Sequence, residues 1–167
     1  MSLVLSEHPG GVETDPGRRI AYDLQRNEAH FGAARIDGPA VVWELEGELE
    51  PGAWVLRCDR VDFPPGGIAY RHVHPGGGVR RILHGALTID RGDGDPRTYS
   101  AGESWHEGAH DPVLATASAT EDTAFVRVLL LPAEWAGRRT ITYVDPADED
   151  KPKLQRPTVF FDRPLVL

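Results

Sequence analysis

The stretch Gly66–Gly85, GGIAYRHVHPGGGVRRILHG, decides how the chain is read. It sets His72 and His74 two residues apart between glycine-rich turns. Successive side chains of a β-strand point to opposite faces, so residues i and i+2 share a face. A strand here sends both imidazoles the same way, as two ligands of one metal would be sent. The apolar residues that follow (Ile82, Leu83, Ala86, Leu87 and Ile89) predict a second strand that turns back at Gly85.

Working outward, Trp54–Phe63 reads as a strand between the turn signals Pro51-Gly52 and Pro64-Pro65-Gly66-Gly67. Ile68–His74 is the next, ended by Pro75-Gly76-Gly77-Gly78, and Val79–His84 with Ala86–Asp90 predicts a hairpin. Val41–Leu45, Arg97–Ser100, Ser104–His106, Val113–Ser118 and Thr140–Val144 are further short strands. Phe125–Leu131 (FVRVLLL) is the most apolar and is expected in the core. After Pro132, AEWAGR predicts a single helical turn.

Closely spaced short strands with little helix predict an all-β fold, an antiparallel sandwich or β-barrel. A small barrel closes its own edges and holds a ligand among inward-facing residues. The expected organisation is an N-terminal arm over 1–37, with a pairing segment near Ile20–Leu24, and a barrel over 38–145. A tail over 146–167, apolar at both ends of TVFFDRPLVL, is expected to pack on the barrel or on a partner subunit.

Composition narrows the function classes. A chain of 167 residues, 40% hydrophobic and 26% charged, suits one well-filled domain. Its 18 glycines and 14 prolines favour short strands over long helices. The net charge of −8 argues against a phosphate-neutralising surface for nucleic acid. Cys58, the one cysteine, excludes an intrachain disulfide and a cysteine-based zinc site, and is expected to be a buried small apolar residue. No apolar run approaches the roughly 18 residues of a membrane span, so a soluble cytoplasmic protein without membrane contact is expected.

The histidine stretch resembles the first motif of the cupin superfamily, conserved-barrel jelly rolls. That motif runs glycine, five residues, His-x-His, three or four residues, glutamate, six residues, glycine. Here Gly66 is followed by five residues, His72-Val73-His74, three residues, Gly78, then six residues to Gly85. Gly78 stands where the family's acidic ligand would be. Ala101–Ser118 (AGESWHEGAHDPVLATAS) resembles the second motif, with Val113 at the histidine position when counted without gaps. His110 takes that role if the loop is shortened by three residues; Glu107 and His106 are the other candidates.

The resemblance implies a divalent transition metal (Fe, Mn, Ni or Zn) held by His72 and His74, with Glu107 or His110 completing the set; such ligands suit borderline metals. The alternative reading is a hydrogen-bonded histidine pair in a polar interior. Trp105 and His106 are adjacent, so only one of them faces inward. Arg80 shares the face of position 78, and a buried arginine demands a partner. That partner is either Glu107 or an anionic group of a small-molecule substrate bound bidentately. Glu107 and Arg80 are thus the candidate catalytic groups. Tyr70, of the same parity as His72 and His74, and Trp105 are candidate substrate-lining residues.

Two functions from different classes follow from the resemblance. One is a metal-dependent small-molecule enzyme, dioxygenase-like or an isomerase or cyclase. The other is a non-catalytic barrel that binds a small anionic ligand with a partly lost metal site. A third reading, a homodimerisation module with vestigial histidines, gives the apolar tail a partner.

Overall fold

The computed structural model describes residues 4–9, 18–32, 38–46 and 52–166. Of the expected N-terminal arm, residues 1–3, 10–17 and 33–37 lie outside the described residues, as does residue 167 of the tail. The chain divides into two compact units, Met1–Ala53 with Leu165–Leu167, and Trp54–Pro164. The division falls after Ala53 rather than at 37/38, because the strand expected to open the barrel belongs to the first unit.

In that unit β1 (Val4–Pro9), β2 (Arg19–Asp23), β3 (Glu28–Phe31) and β4 (Ala40–Glu46) form an antiparallel sheet in the order β1-β4-β2-β3. The β2–β3 turn is built by Asp23, whose Oδ1 accepts from the backbone N–H groups of Gln25 and Arg26. A short aspartate side chain supplies such local acceptors readily. Ile20, Tyr22, Val42 and Trp43 are fully buried.

The second unit carries ten strands: β5 (Ala53–Phe63), β6 (Ile68–Val73), β7 (Gly78–His84), β8 (Ala86–Asp90), β9 (Arg97–Ser100), β10 (Ser104–Glu107), β11 (Val113–Ala117), β12 (Thr123–Pro132), β13 (Thr142–Tyr143) and β14 (Arg156–Val166). The helical turn foreseen after Pro132 is the 3-10 turn Ala133–Trp135, and a second one spans Pro146–Asp150. No helix among the described residues is long and apolar enough to cross a membrane.

The ten strands form two five-stranded sheets, β10-β7-β12-β5-β14 and β13-β6-β11-β8-β9. The jelly-roll character expected is present, but the hydrogen-bonded ladder does not close into a barrel. What joins the sheets is side-chain packing. Val61, Phe63, Ile82, Trp105 and Phe125 of the first sheet meet Ala69, Leu87, Ile89, Tyr99, Val113 and Ala115 of the second. Tyr99 stacks on Trp105 at 4.8 Å between centroids, and Phe125 meets the same indole edge-on at 5.7 Å. Aromatic pairs in these geometries add about 0.5–1.5 kcal/mol beyond the area they bury. The edge strand β14 carries Pro157 and Pro164, residues that strands tolerate at an edge, where no ladder donor is needed.

β7 and β12 approach each other so closely that two positions admit no side chain. A Cβ on Gly76 would lie 1.8 Å from the Leu130 carbonyl oxygen, and one on Gly78 would lie 1.9 Å from that of Val128. The glycine at 78 therefore reflects the backbone's own demand for space. Replacing Gly78 with alanine is expected to destabilise the protein by about 1–3 kcal/mol, the range for forced overpacking, measured by chemical denaturation. An unchanged midpoint would show that the two strands separate without cost.

Candidate functional site

Charged residues sit on the inward faces of otherwise apolar strands, and the antiparallel register sets them side by side. Arg127 on β12 is paired with Asp59 on β5 and with Arg80 on β7, and Arg80 in turn with Trp105 on β10. Two residues along, Glu107 lies opposite Gly78. From the other sheet His72 pairs with Val113 on β11 and with Tyr143 on β13. Together these residues line a cavity of about 630 Å³. One part of its wall is apolar, with Val61, Phe63, Leu87, Ile89, Val113 and Phe125; elsewhere stand Arg57, Arg138, Arg139, Thr140 and Lys153.

The two imidazoles come together as the spacing foretold. Their ring centroids are 4.9 Å apart at an interplanar angle of 83°, and both residues are buried. His72 Nδ1 lies 2.7 Å from the Tyr70 carbonyl oxygen, and His74 Nδ1 lies 3.0 Å from that of Thr140. A carbonyl oxygen only accepts, so each ring donates from Nδ1 and keeps its lone pair on Nε2. The two lone pairs meet different surroundings. Arg127 donates from Nη1 to His74 Nε2 at 3.1 Å, whereas His72 Nε2 has no partner among the described residues.

Burial, above all, lowers the pKa of His72 to about 4, only partly offset by the Tyr70 carbonyl and the nearby Glu107 carboxylate. Burial, reinforced by the positive charges of Arg127 and Arg80, holds His74 well below its ordinary value too. Both rings are neutral at physiological pH.

The arginines are anchored unequally. Arg127 grips Asp59 with two parallel hydrogen bonds, Nε to Oδ1 at 2.6 Å and Nη2 to Oδ2 at 2.9 Å. Arg57 does the same with Asp162, at 2.6 Å for each bond, and also donates to the Arg138 carbonyl at 2.7 Å. Arg80 donates from Nη1 to the Gly78 carbonyl at 2.7 Å. Its Nη2 lies 2.8 Å from Glu107 Oε2 as an ion pair, yet off the line of a hydrogen bond, so this buried group keeps N–H donors without an aligned acceptor. Trp105 Nε1 donates to the other carboxylate oxygen, Oε1, at 2.7 Å.

Burial lowers the pKa of Arg80 to about 10, against the pull of Glu107, and the guanidinium stays charged at neutral pH. For Glu107, burial pushes upward, but Arg80, the Trp105 indole, His72 and Arg127 together hold it below its ordinary value.

The structure thus gathers His72, His74, Arg80, Trp105 and Glu107 around one cavity and leaves three candidates, Tyr70, His110 and His106, outside it. Tyr70 is displaced by a β-bulge. Val113 pairs with His72 but Ala115 pairs with Ala69, so β6 has one residue more than β11 over that span and Ala69, not Tyr70, shares the inward face with His72. The Tyr70 ring instead meets the Lys151 ammonium at 4.7 Å.

His110 is exposed at φ +63° in a tight turn closed by the Asp111 carboxylate on the Gly108 N–H. Only its backbone N–H reaches the site, donating to the His74 carbonyl at 2.8 Å. His106 is exposed, as alternation against Trp105 requires. Asp59, Arg127, Arg57 and Thr140 are site residues that the sequence reading passed over. The available signal was a charge inside an apolar strand, as at Arg127 in FVRVLLL.

The donor set does not fit a transition metal. One of the two imidazole lone pairs is taken by a guanidinium, and the Glu107 carboxylate is committed to Arg80 and Trp105. Position 78 admits no side chain, and His110 points away. Among the described residues no group of three or more His, Cys, Asp or Glu side chains is placed to hold a metal ion. Cys58, buried between Arg57 and Asp59, has its thiol pKa raised by burial and is poorly suited to act as a thiolate ligand.

The cupin domain family model matches residues 59–127. The sequence matches none of the curated proteins. Among solved structures it is similar to the polyketide cyclase RemF from Streptomyces resistomycificus, at 18% identity over 57% of this chain and 75% of that one, with a TM-score of 0.44. It is similar to a cupin-like protein from Thermotoga maritima, at 15% identity over 62% and 94%, with a TM-score of 0.45. A third similarity is to oxalate oxidase, at 21% identity and a TM-score of 0.44, covering 53% of this chain but only 46% of that one. The match to the cupin domain family begins at Asp59 and ends at Arg127, the two residues of the bidentate ion pair, and encloses both histidines.

Proposed function

We propose that the cavity binds a small organic anion with an apolar body. The charged group lies against Arg80 and Arg127, and the body lies against Phe63, Leu87, Ile89 and Phe125. The observation that carries this reading is Arg80, 1% exposed and still holding N–H donors with no aligned acceptor. A buried guanidinium short of acceptors is costly, and an oxyanion supplies what is missing. Charge supports the same reading. Arg57, Arg80, Arg127, Arg138, Arg139 and Lys153 face the cavity against Asp59, Glu107 and Asp162, within a chain whose net charge is −8. A cationic cavity in an acidic protein concentrates anions locally while the outer surface repels them.

Of the two function classes, the ligand-binding one is favoured, because the metal-dependent, dioxygenase-like reading needs ligands that the donor set withholds. His72 adds specificity. Its neutral Nε2 accepts a hydrogen bond from a hydroxyl or amine near the anionic group.

Calorimetry with benzoate and its neutral isostere benzamide tests the proposal. Benzoate is expected to bind at least about tenfold more tightly, a difference of about 1.4 kcal/mol. In the double variant Arg80→Met/Glu107→Gln, which leaves no buried charge unpaired, the loss of a charged hydrogen bond of about 1.5–3 kcal/mol is expected to abolish that preference. Equal affinities for the two probes in the native protein would sink the reading. The single variant Arg80→Met strands Glu107 and is expected to lose about 3–5 kcal/mol of stability.

The neutral state of His72 has a pH signature. Its folded pKa of about 4 lies below the unfolded 6.5, so below pH 6.5 the unfolded chain takes up a proton that the folded site refuses. Its contribution is intact above pH 6.5 and falls away by about 3 kcal/mol as the pH drops towards 4. His72→Gln is expected to flatten that part of the profile in denaturation experiments from pH 7 to 4. An unchanged slope in the variant would mean that the ring is not held neutral.

A further inference from the structure

We infer that Trp105 is the positioning residue that keeps Arg80 open to an anion, because its indole N–H holds Glu107 in a pose that neutralises the guanidinium without saturating it. The inference rests on the anion-binding reading and names what controls the affinity of that site.

The strand register carries it. Asp59 and Arg127 are direct partners, and they meet in two parallel hydrogen bonds. Glu107 and Arg80 are not direct partners. Trp105 stands opposite Arg80, and Glu107 stands two residues on, opposite Gly78. The carboxylate therefore reaches the guanidinium diagonally across the ladder, where neighbours are about 7–8 Å apart against about 5 Å for direct partners.

A long side chain spans that diagonal, so distance alone does not leave Arg80 short of acceptors. The indole does. Trp105 and Glu107 share the buried face of β10, and Trp105 Nε1 donates to Glu107 Oε1 at 2.7 Å. Only Oε2 is left to face Arg80, 2.8 Å from Nη2 and off the hydrogen-bond line. The ring itself is held by Tyr99, stacked at 4.8 Å, and by Phe125, edge-on at 5.7 Å, so it does not follow a swinging carboxylate. On the other side Arg80 Nη1 is committed to the Gly78 carbonyl at 2.7 Å. The fork is thus fixed at one nitrogen and unfilled at the other.

An indole offers one donor and no acceptor, so it competes with Arg80 for Glu107 but never with a ligand for Arg80. Counter-charge and hydrogen bonding are thereby separated. Glu107 makes the buried cation tolerable, while the strong charge-assisted bonds of the guanidinium are kept for a bound oxyanion.

Calorimetry with benzoate and benzamide tests this in Trp105→Phe and in a chain carrying 3-benzothienylalanine at position 105 alone, which keeps the indole's shape and stacking without its N–H. Freed of that donor, Glu107 turns both oxygens onto Arg80 and competes with the probe. The preference for benzoate, at least about tenfold in the native protein, is expected to fall to within about threefold in both variants, the scale of one charged hydrogen bond. Benzamide affinity is expected to change by less than about twofold, because the lost interaction is specific to the anion. In the native protein the Trp105 Nε1–H is expected to exchange slowly with solvent, with and without benzoate.

A benzothienylalanine variant that keeps the native preference would overturn the role of Trp105. Equal weakening of both probes would do the same, since a merely structural defect loosens the cavity for either. So would rapid Nε1–H exchange in the native protein, or exchange accelerated by benzoate. Should Trp105→Phe not fold, the isosteric variant and the native exchange rates decide. Absence of any benzoate preference in the native protein would overturn the anion reading itself, whereas a native preference untouched in the variants overturns only this inference.

Discussion

The bidentate grip of Arg127 on Asp59 is the interaction around which the cavity is organised. Both side chains sit between the sheets, Asp59 buried and Arg127 as the single charge of β12, and neither charge is tolerable there alone. Once paired, the guanidinium has a fixed plane and one free edge, and that edge fixes His74. The histidine in turn depends on Thr140 for its tautomer, while burial, reinforced by the nearby guanidinium, keeps the ring neutral. Arg80 and Glu107 repeat the principle one strand away with a looser fit. The difference between a saturated pair and an unsaturated one is what gives the cavity a preferred place for a ligand.

The strand pattern was legible because turn chemistry punctuates it so heavily. Pro64–Gly67, Pro75–Gly78 and Gly85 mark their strand ends without ambiguity, and the shared face of His72 and His74 follows from alternation alone. Arg80 and Glu107 were legible by the same parity argument. Alternation also explains the misplaced residue, because a bulge adds one residue to β6 opposite β11 and reverses the face of Tyr70. Nothing local in IAYRHV signals that extra residue; it arises from pairing with a strand about forty positions later.

His110 failed for a different reason. Its contribution was judged from spacing, whereas a left-handed backbone turn sends its ring outward. Arg127 was hidden by its company, since an apolar run reads as core and its single charge reads as an interruption. A more useful reading treats any charge inside such a run as a buried partner in search of its counter-ion. The open edges of the two sheets were likewise invisible in sequence, because closure depends on whether terminal strands pair with each other, and no residue pattern announces that. The extent of the first unit was underestimated because its strands are separated by segments that look irregular when read singly.

Two features of the cavity rim are set by backbone carbonyls. His74 leans on the oxygen of residue 140, and Arg57 on that of residue 138. An amide oxygen is present whatever side chain its residue carries, so the segment between the last turn of β12 and β13 is free to drift in sequence while the imidazole keeps its proton on the same nitrogen. Length is a different matter. One residue inserted or removed there would carry a different oxygen, or none, to the ring. Natural variation in this loop should therefore be wide in residue type and narrow in residue number, leaving the rim as the place where ligand preference changes without disturbing the charges beneath it.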